Sequence, residues 1–200
     1  MNTQSGRSMV EMLGVLAIIG VLSVGAIAGY SKAMMKYKLN KQAESINMLI
    51  NNSLQTLNQL GAKEDNVKYH AKTLYKLGLI PDGIKYNNTD ILYDVFNNKI
   101  RVYTKDKADR TYNYGISFHH TDGISPFDIN SCRNIVTIAK ENSANLTWVI
   151  AYNVDAASHF GALAGDNYCD SSHRCLRDLT LNDIDNLCNN KVSVLYILWD

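Results

Sequence analysis

One carboxylate lies inside a long apolar run near the start of the chain. The 22 residues from Met9 to Tyr30 contain a single charged side chain, Glu11, and the next charge is Lys32. An ionisable group within such a segment costs about 3 kcal/mol on insertion into a membrane and usually marks a function. Glu11 therefore needs a partner of opposite charge, unless its side chain reaches back to lipid headgroups at the membrane edge.

Cysteine and histidine residues are the next groups that could do chemistry. Cys169, His173 and Cys175 provide up to three zinc ligands, but no C-x-x-C pair completes the set, so a disulfide is the better interpretation. His119 and His120 end a strand pattern with no partnering Cys or Asp/Glu pattern beside them. We interpret this pair as an exposed strand end and predict no metal site.

Three aspartates near the C-terminus offer the remaining ligand set. Asp178, Asp183 and Asp185 could bind calcium, but their spacing is not that of an EF-hand, and charges at helix ends explain them better. The sequence has no Gly-rich phosphate loop and no G-x-S-x-G elbow. We therefore predict a protein that is not an enzyme and carries no cofactor.

Composition limits the class of protein further. The chain has 200 residues, with 20 Lys and Arg against 19 Asp and Glu, so it lacks the basic footprint of a nucleic-acid-binding domain. Four cysteines lie in the last third: Cys132, Cys169, Cys175 and Cys188. An even count behind a membrane-targeting segment favours an oxidising compartment and two disulfides, in any of three pairings.

The apolar run is long enough to cross a bilayer. Its 22 residues would span about 33 Å as a helix, and no A-x-A-like cleavage site follows. A simple count of flanking charges would put the C-terminal part inside the cell, because only Arg7 precedes the run and four lysines follow it: Lys32, Lys36, Lys38 and Lys41. The cysteines predict the opposite side, and long domains often translocate regardless of charge.

The helical pattern continues past the apolar run. Apolar residues recur at steps of three and four: Leu39, Ala43, Ile46, Ile50, Leu54, Leu57 and Leu60. Gly61 is the expected stop. The sequence therefore predicts one helix from about Ser8 to Leu60, apolar all round in its first half and amphipathic in its second.

The residues Gly6 to Leu22, GRSMVEMLGVLAIIGVL, resemble the N-terminal signature of type IV prepilins. The resemblance implies cleavage after Gly6, so that the mature chain begins at Arg7 and Glu11 becomes its fifth residue. In a filament, the new amine of Arg7 would neutralise the Glu11 carboxylate of a neighbouring subunit, because either charge is expensive to bury alone. Glu11 would then set the axial register of packing.

Three of the four glycines in the apolar half could affect the flexibility of the helix. Gly20 falls where pilins often carry a helix glycine, and Gly25 and Gly29 flank the place where relatives have a helix-breaking proline. The Gly25-x-x-x-Gly29 spacing permits either close approach of another helix or local softening of this one. We favour softening.

Shorter elements follow the long helix. Residues 71–83 read as a helix ended by Pro81 and a turn at Asp82-Gly83, and residues 98–120 as a hairpin. A helix follows with Ser125 as N-cap, Pro126 at its first position and Asp128 at its third.

A strand at 145–153, a helix capped by Thr180 or Asn182, and a strand at 191–200 complete the pattern. The fold class predicted is α+β: a long N-terminal helix packed on a mainly antiparallel sheet head with short helices.

The head pattern is similar to the type IVb branch of the pilins. The LGLIPDGI helix end, the helix containing Cys132 and the position of Cys188 before the last strand carry this likeness. It implies a Cys132–Cys188 bridge and leaves Cys169–Cys175 as a local loop. The chain-entropy estimate is about 4 kcal/mol for the long loop and about 2 for the short one.

Together the resemblance implies a leader at 1–6, a transmembrane and filament-core helix at 7–30, its amphipathic continuation at 31–60 and a pilin head at 61–200. The expected function is the structural subunit of a type IV pilus, for adhesion, motility, aggregation or conjugation. The expected partners are other pilin subunits, prepilin peptidase and inner-membrane assembly machinery. The subunit would sit in the inner membrane with a periplasmic head, then in an extracellular pilus.

Two alternatives stay open at this point. One keeps the family and makes the chain a minor pilin or a type II secretion pseudopilin. The other is a monomeric signal-anchored periplasmic binding domain, for which Glu11 would be incidental.

Overall fold

The structure, a computed structural model, describes residues 9–57, 59, 67–105, 114–122, 125–153 and 158–200. The chain divides into two units, Met1–Lys38 and Leu39–Asp200. The long helix, α1, spans Met9–Leu57. The predicted last residue of this helix, Leu60, lies outside the described residues, and Gln59 lies in a turn, where its amide bonds to the Thr56 carbonyl.

The second unit contains one antiparallel sheet. Its strands are β1 Lys68–Tyr69, β2 Lys85–Tyr86, β3 Leu92–Tyr93, β4 Lys99–Thr104, β5 Tyr114–His119, β6 Trp148–Asn153, β7 Ser158–Ala164 and β8 Val194–Trp199. They follow the order β2-β3-β4-β5-β8-β6-β7, and β1 pairs with β4 beside β3. Thus β8, which follows every other strand in the chain, lies between β5 and β6.

Three shorter helices accompany the sheet: α2 Ala71–Lys76, α3 Ile129–Glu141 and α4 Leu181–Asn189. Short 3-10 turns at Ser143–Asn145 and Asp166–Tyr168 complete the described elements. The α+β class predicted from the sequence is confirmed, as are the β4–β5 pairing and the strands now labelled β6 and β8.

One face of the central strands forms one side of the hydrophobic core. In β4 and β5 the core face carries apolar residues at every second position, for example Val102 opposite Ile116. The same cluster includes Ile46 and Ile50 of α1 and Ile135 of α3, each almost fully buried. The second half of α1 therefore has the buried face that its periodicity predicts.

Two predicted ends of the shorter helices differ from the observed ones, and one of the two caps predicted for the last helix is confirmed. Helix α2 ends at Lys76 and not at Pro81, because Gly78 takes φ +68 and the Leu79 amide bonds back to the Leu74 carbonyl.

Helix α3 is capped by Asp128, whose carboxylate accepts the amides of Asn130 and Ser131, so the predicted cap at Ser125 is wrong. For α4, Thr180 and not Asn182 is the cap, in a reciprocal box with Asp183.

Candidate functional site

The apolar half of α1 exposes its side chains on all sides. Its most apolar 18-residue window has a mean hydropathy of 2.4, and none of that window is buried. Among the described residues, α1 is the one helix long and apolar enough to cross a membrane, by length and composition. A helix of the core of a soluble protein would be mostly buried, so the exposure fits a membrane anchor.

The exposed fractions are large along the whole segment. Met9, Val10, Leu13, Leu16, Val21, Leu22, Val24 and Ile27 are each between 63 and 85% exposed. Contiguous apolar surface of this extent marks contact with lipid or protein.

Glu11 lies in the first turn of α1 and is exposed. The first turn of a helix favours a carboxylate, because its unpaired amides form the positive end of the helix dipole. The predicted partner Arg7 and the predicted cleavage site Gly6 lie outside the described residues. The register role of Glu11 therefore stays a prediction.

Gly20, Gly25 and Gly29 lie in unbroken α-helix. A Cβ atom at Gly20, Gly25 or Gly29 would meet nothing within 4 Å. Hence no packing contact around these positions requires a glycine there. Both interpretations of Gly25 and Gly29, softening and close approach of another helix, stay predictions.

Two disulfides close the head. Cys132 of α3 is bonded to Cys188 of α4, with Cα atoms 5.8 Å apart and both side chains buried. Cys169 is bonded to Cys175, with Cα atoms 5.3 Å apart. These are the two pairs that the resemblance implies. Because both sulfurs of the second pair are consumed, Cys169 and Cys175 are not zinc ligands in this structure.

The candidate calcium ligands have other contacts. Asp183 accepts from the Thr180 amide and hydroxyl and pairs with Arg174, and these interactions lower the pKa of its carboxyl to about 2. Asp185 pairs with Arg133. Within the described part of the chain, no three His, Cys, Asp or Glu side chains group as a metal site would require.

His119 and His120 have different surroundings. His120 pairs with Asp122 at 2.8 Å, while His119 bonds to the Ser117 hydroxyl at 3.1 Å. Burial, together with the charges of Arg101 and Lys99, lowers the pKa of His119 to about 4. The imidazole of His119 is therefore neutral at pH 7.

A buried polar cluster, which the sequence patterns do not predict, joins the second half of α1 to the head. The Gln42 amide nitrogen donates to the Asp94 carboxylate at 2.6 Å and to the Ser131 hydroxyl at 2.7 Å. Asn98 donates to the same two groups. Burial raises the pKa of Asp94 above its ordinary value, against these donated hydrogen bonds. A glutamine between the apolar positions Leu39 and Ile46 of the helical pattern is the signal that could have indicated this cluster.

A second feature that the sequence patterns do not predict is a cavity on the face of the sheet away from the core. It has a volume of about 360 Å³ and is lined by side chains of β1, β4, β5, β6 and β8. The signal in the sequence is the alternation of Lys99, Arg101 and Tyr103 along β4.

The chain has been compared with known proteins in three ways. No family model matches it, and no curated protein matches it. Among solved structures, it is similar to the crystal structure of a type IV b pilin from Salmonella typhi. The two share 15% sequence identity, the match covers 80% of this chain and 99% of that chain, and the TM-score is 0.48. At this level the match describes a likeness to a pilin structure and does not assign the chain to a family.

Proposed function

We propose that the chain is a structural subunit of a type IV pilus-like filament, held in a membrane and then polymerised through the apolar half of α1. The observation that carries the proposal is an exposed, membrane-length apolar helix with one carboxylate, Glu11, in its first turn. A structural role of this kind requires neither catalysis nor a cofactor.

The exposed side chains alone require only an apolar environment. Burial of apolar surface is favourable by about 25 cal/mol per Å², so this helix is stable either in lipid or against other copies of itself. Lipid would satisfy the apolar residues. A filament core would satisfy them equally, and it would also bring Glu11 close to the N-terminus of a neighbouring chain.

Glu11 is the residue that distinguishes these environments. Cleavage after Gly6 would create a protonated amine on Arg7, four residues before Glu11. A carboxylate buried beside such an amine keeps a partner, whereas a lone buried charge is strongly unfavourable. The pair would form between subunits and would fix how far each helix is displaced along the filament axis.

The head suits a position outside the cytoplasm. Its two disulfides are typical of an oxidising compartment. In the proposed sequence of events, prepilin peptidase removes residues 1–6, inner-membrane assembly machinery extracts the subunit, and the head covers the surface of the fibre.

The first test is the N-terminal mass of the protein recovered from membranes of cells with and without prepilin peptidase. We expect a chain that begins at Arg7, with or without methylation of its amine, only when the peptidase is present. A chain that begins at Met1 in both strains would contradict the proposal and would favour a signal-anchored periplasmic domain.

The second test addresses assembly. Glu11→Gln removes the charge without shortening the side chain, and we expect normal membrane insertion with at least a tenfold loss of sheared filaments. Glu44→Gln is the matched control, because Glu44 lies on the same helix outside the apolar run. Normal filaments from the Glu11→Gln variant would refute the register role. The amount of the chain in sheared wild-type filaments separates a major from a minor pilin.

A further inference from the structure

The cavity on the face of the sheet that points away from the core has the form of a groove. Strand β5 places two small residues, Gly115 and Ser117, on this face at the centre of the sheet. The neighbouring strand β4 places Arg101 and Tyr103 beside them, and β8 on the other side places Tyr196 opposite Ser117. Small side chains on one strand between large side chains on its two neighbours leave this groove in the surface of the sheet.

Close packing around Gly115 fixes the position of the side chains at one end of the groove. A Cβ atom added at Gly115 would lie 2.7 Å from the Tyr103 ring and 2.9 Å from the Leu198 side chain. The absence of that Cβ lets the Tyr103 ring lie across β5, where it is only 7% exposed. The Tyr103 ring therefore forms the floor of the groove at this end in the absence of a ligand.

Aromatic rings form the two sides. On one side, the Tyr69 ring meets the Tyr103 ring of the floor edge to face, with ring centres 6.4 Å apart. On the other side, Tyr196 meets Tyr152 at 5.5 Å and His119 at 6.1 Å. The aromatic faces and edges can pack against the C–H groups of a ligand ring, and the tyrosine hydroxyls can bond to the polar groups of that ligand.

The charge of the groove is positive. Arg101 and Lys105 line it, and no acidic residue does so among the described lining residues. The Arg101 guanidinium lies 5.9 Å from the centre of the Tyr69 ring, so its position is supported by an aromatic face. Lys99 lies on the same face, and His119 contributes no charge at pH 7.

From this arrangement we propose that the groove binds an acidic saccharide, with Arg101 bonded to the carboxylate and the tyrosines packed against the sugar ring. Guanidinium groups match carboxylates through two parallel hydrogen bonds. The volume of about 360 Å³ lies within the range of small-molecule sites.

A nucleic-acid strand fits these observations less well. Strand binding needs a track of positive charge along several phosphates, whereas here the lining cations are Arg101 and Lys105 and the net charge of the chain is +1. A compact anion needs only such a local pair. The proposal does not depend on filament assembly.

The test is a titration of the full-length chain in detergent micelles, followed by saturation-transfer NMR of the ligand. The probes are 3′-sialyllactose and digalacturonic acid, with lactose as the neutral control. We expect saturation transfer to both acidic probes and none to lactose. Equal transfer to lactose, or no transfer to either acidic probe, would overturn the proposal.

Variants then test the groove itself. Arg101→Gln should weaken binding of the acidic probes at least tenfold, Arg101→Lys should weaken it less, and Tyr196→Leu should reduce it severalfold. Arg177→Gln, in the exposed segment before α4, is the matched control and should bind as wild type does. Thermal melting establishes that each variant is folded.

Two results would count against the assignment. Unchanged binding by both folded Arg101 variants would show that the Arg101 guanidinium does not contact the saccharide. Tighter binding of a ten-nucleotide thymidine strand than of either saccharide, lost in Arg101→Gln, would replace the saccharide with nucleic acid.

Discussion

The Gln42 side chain of α1 donates a hydrogen bond of 2.6 Å to the buried Asp94 carboxylate, 52 residues further along the chain. The second Asp94 oxygen accepts the backbone amides of Phe96 and Asn98, each at 2.8 Å. The carboxylate is thus surrounded by donors. This relationship joins the amphipathic part of the helix to the turn that connects β3 and β4.

Asp94→Asn should therefore destabilise the head. An amide in this place retains one acceptor oxygen but presents an NH₂ group to the NH₂ groups of Gln42 and Asn98. Buried donors left without acceptors cost about 1–3 kcal/mol each, and we expect a loss of that size in the free energy of unfolding. Urea unfolding measures it, with the exposed Asp178→Asn as control. Equal stability of the two variants would contradict the role of the carboxylate as acceptor.

Asp183 gives the stability of the head an acid dependence. Its folded-state pKa of about 2 lies below the ordinary 3.8, so the carboxylate stabilises the folded state above pH 3.8. That contribution is lost as the pH falls through 2. We expect Asp183→Asn to be less stable than wild type at pH 7 and the difference to shrink steadily between pH 4 and 2. Unfolding midpoints over this range test the sign, and a difference that grows on acidification would refute it.

The two disulfides should differ in their effect on stability. Cys132–Cys188 closes a loop with a sequence separation of 56, and Cys169–Cys175 one with a separation of 6. On the chain-entropy estimate, replacing both members of the long bridge with serine should cost about 4 kcal/mol and replacing the short one about 2. Double serine variants leave no free thiol, and each serves as the control for the other. Equal protease sensitivity of the two variants would contradict the expected order.

Among the described glycines of the head, Gly165 should least tolerate a side chain. A Cβ atom there would lie 1.7 Å from the Leu146 carbonyl oxygen, a backbone atom held beside the bond from the Gly165 amide to Thr147. Gly165→Ala should cost about 4 kcal/mol or prevent folding. Gly115→Ala is the comparison, and because its clashes are with side-chain atoms that can shift, we expect only about 1–3 kcal/mol. Thermal melting that ranks the two variants in the opposite order would refute this account.

Much of the fold could be predicted from local patterns. The long helix, the buried positions Ile46, Ile50 and Leu57, and the strands β4, β5, β6 and β8 follow from periodicity. The cap of α3 could not, because it depends on which of several polar residues reaches a free amide, and the end of α2 depends on the backbone conformation of Gly78. Strand β7 was not predicted, since Gly161 and its neighbouring alanines lack the β-branched residues that usually mark a strand.

The strand order and the two unexpected features depend on distant pairs. The Gln42–Asp94 contact and the groove beside Arg101 each require residues more than 50 positions apart in the chain to meet. Local periodicity contains no information about such pairs. Glu11 was identifiable for the opposite reason, because an isolated charge in an apolar run stands out in the sequence itself.

The central position of β8 sets the order of events during biogenesis. Until residues 194–199 have left the ribosome, β5 and β6 have no strand between them, and each presents an open edge. Cys132 likewise has no disulfide partner until Cys188 has been synthesised. Neither the complete sheet nor the long disulfide can therefore form strand by strand as the chain is made. A nascent chain of this topology is exposed to aggregation until β8 is available, and closure of the sheet is a late step in its folding.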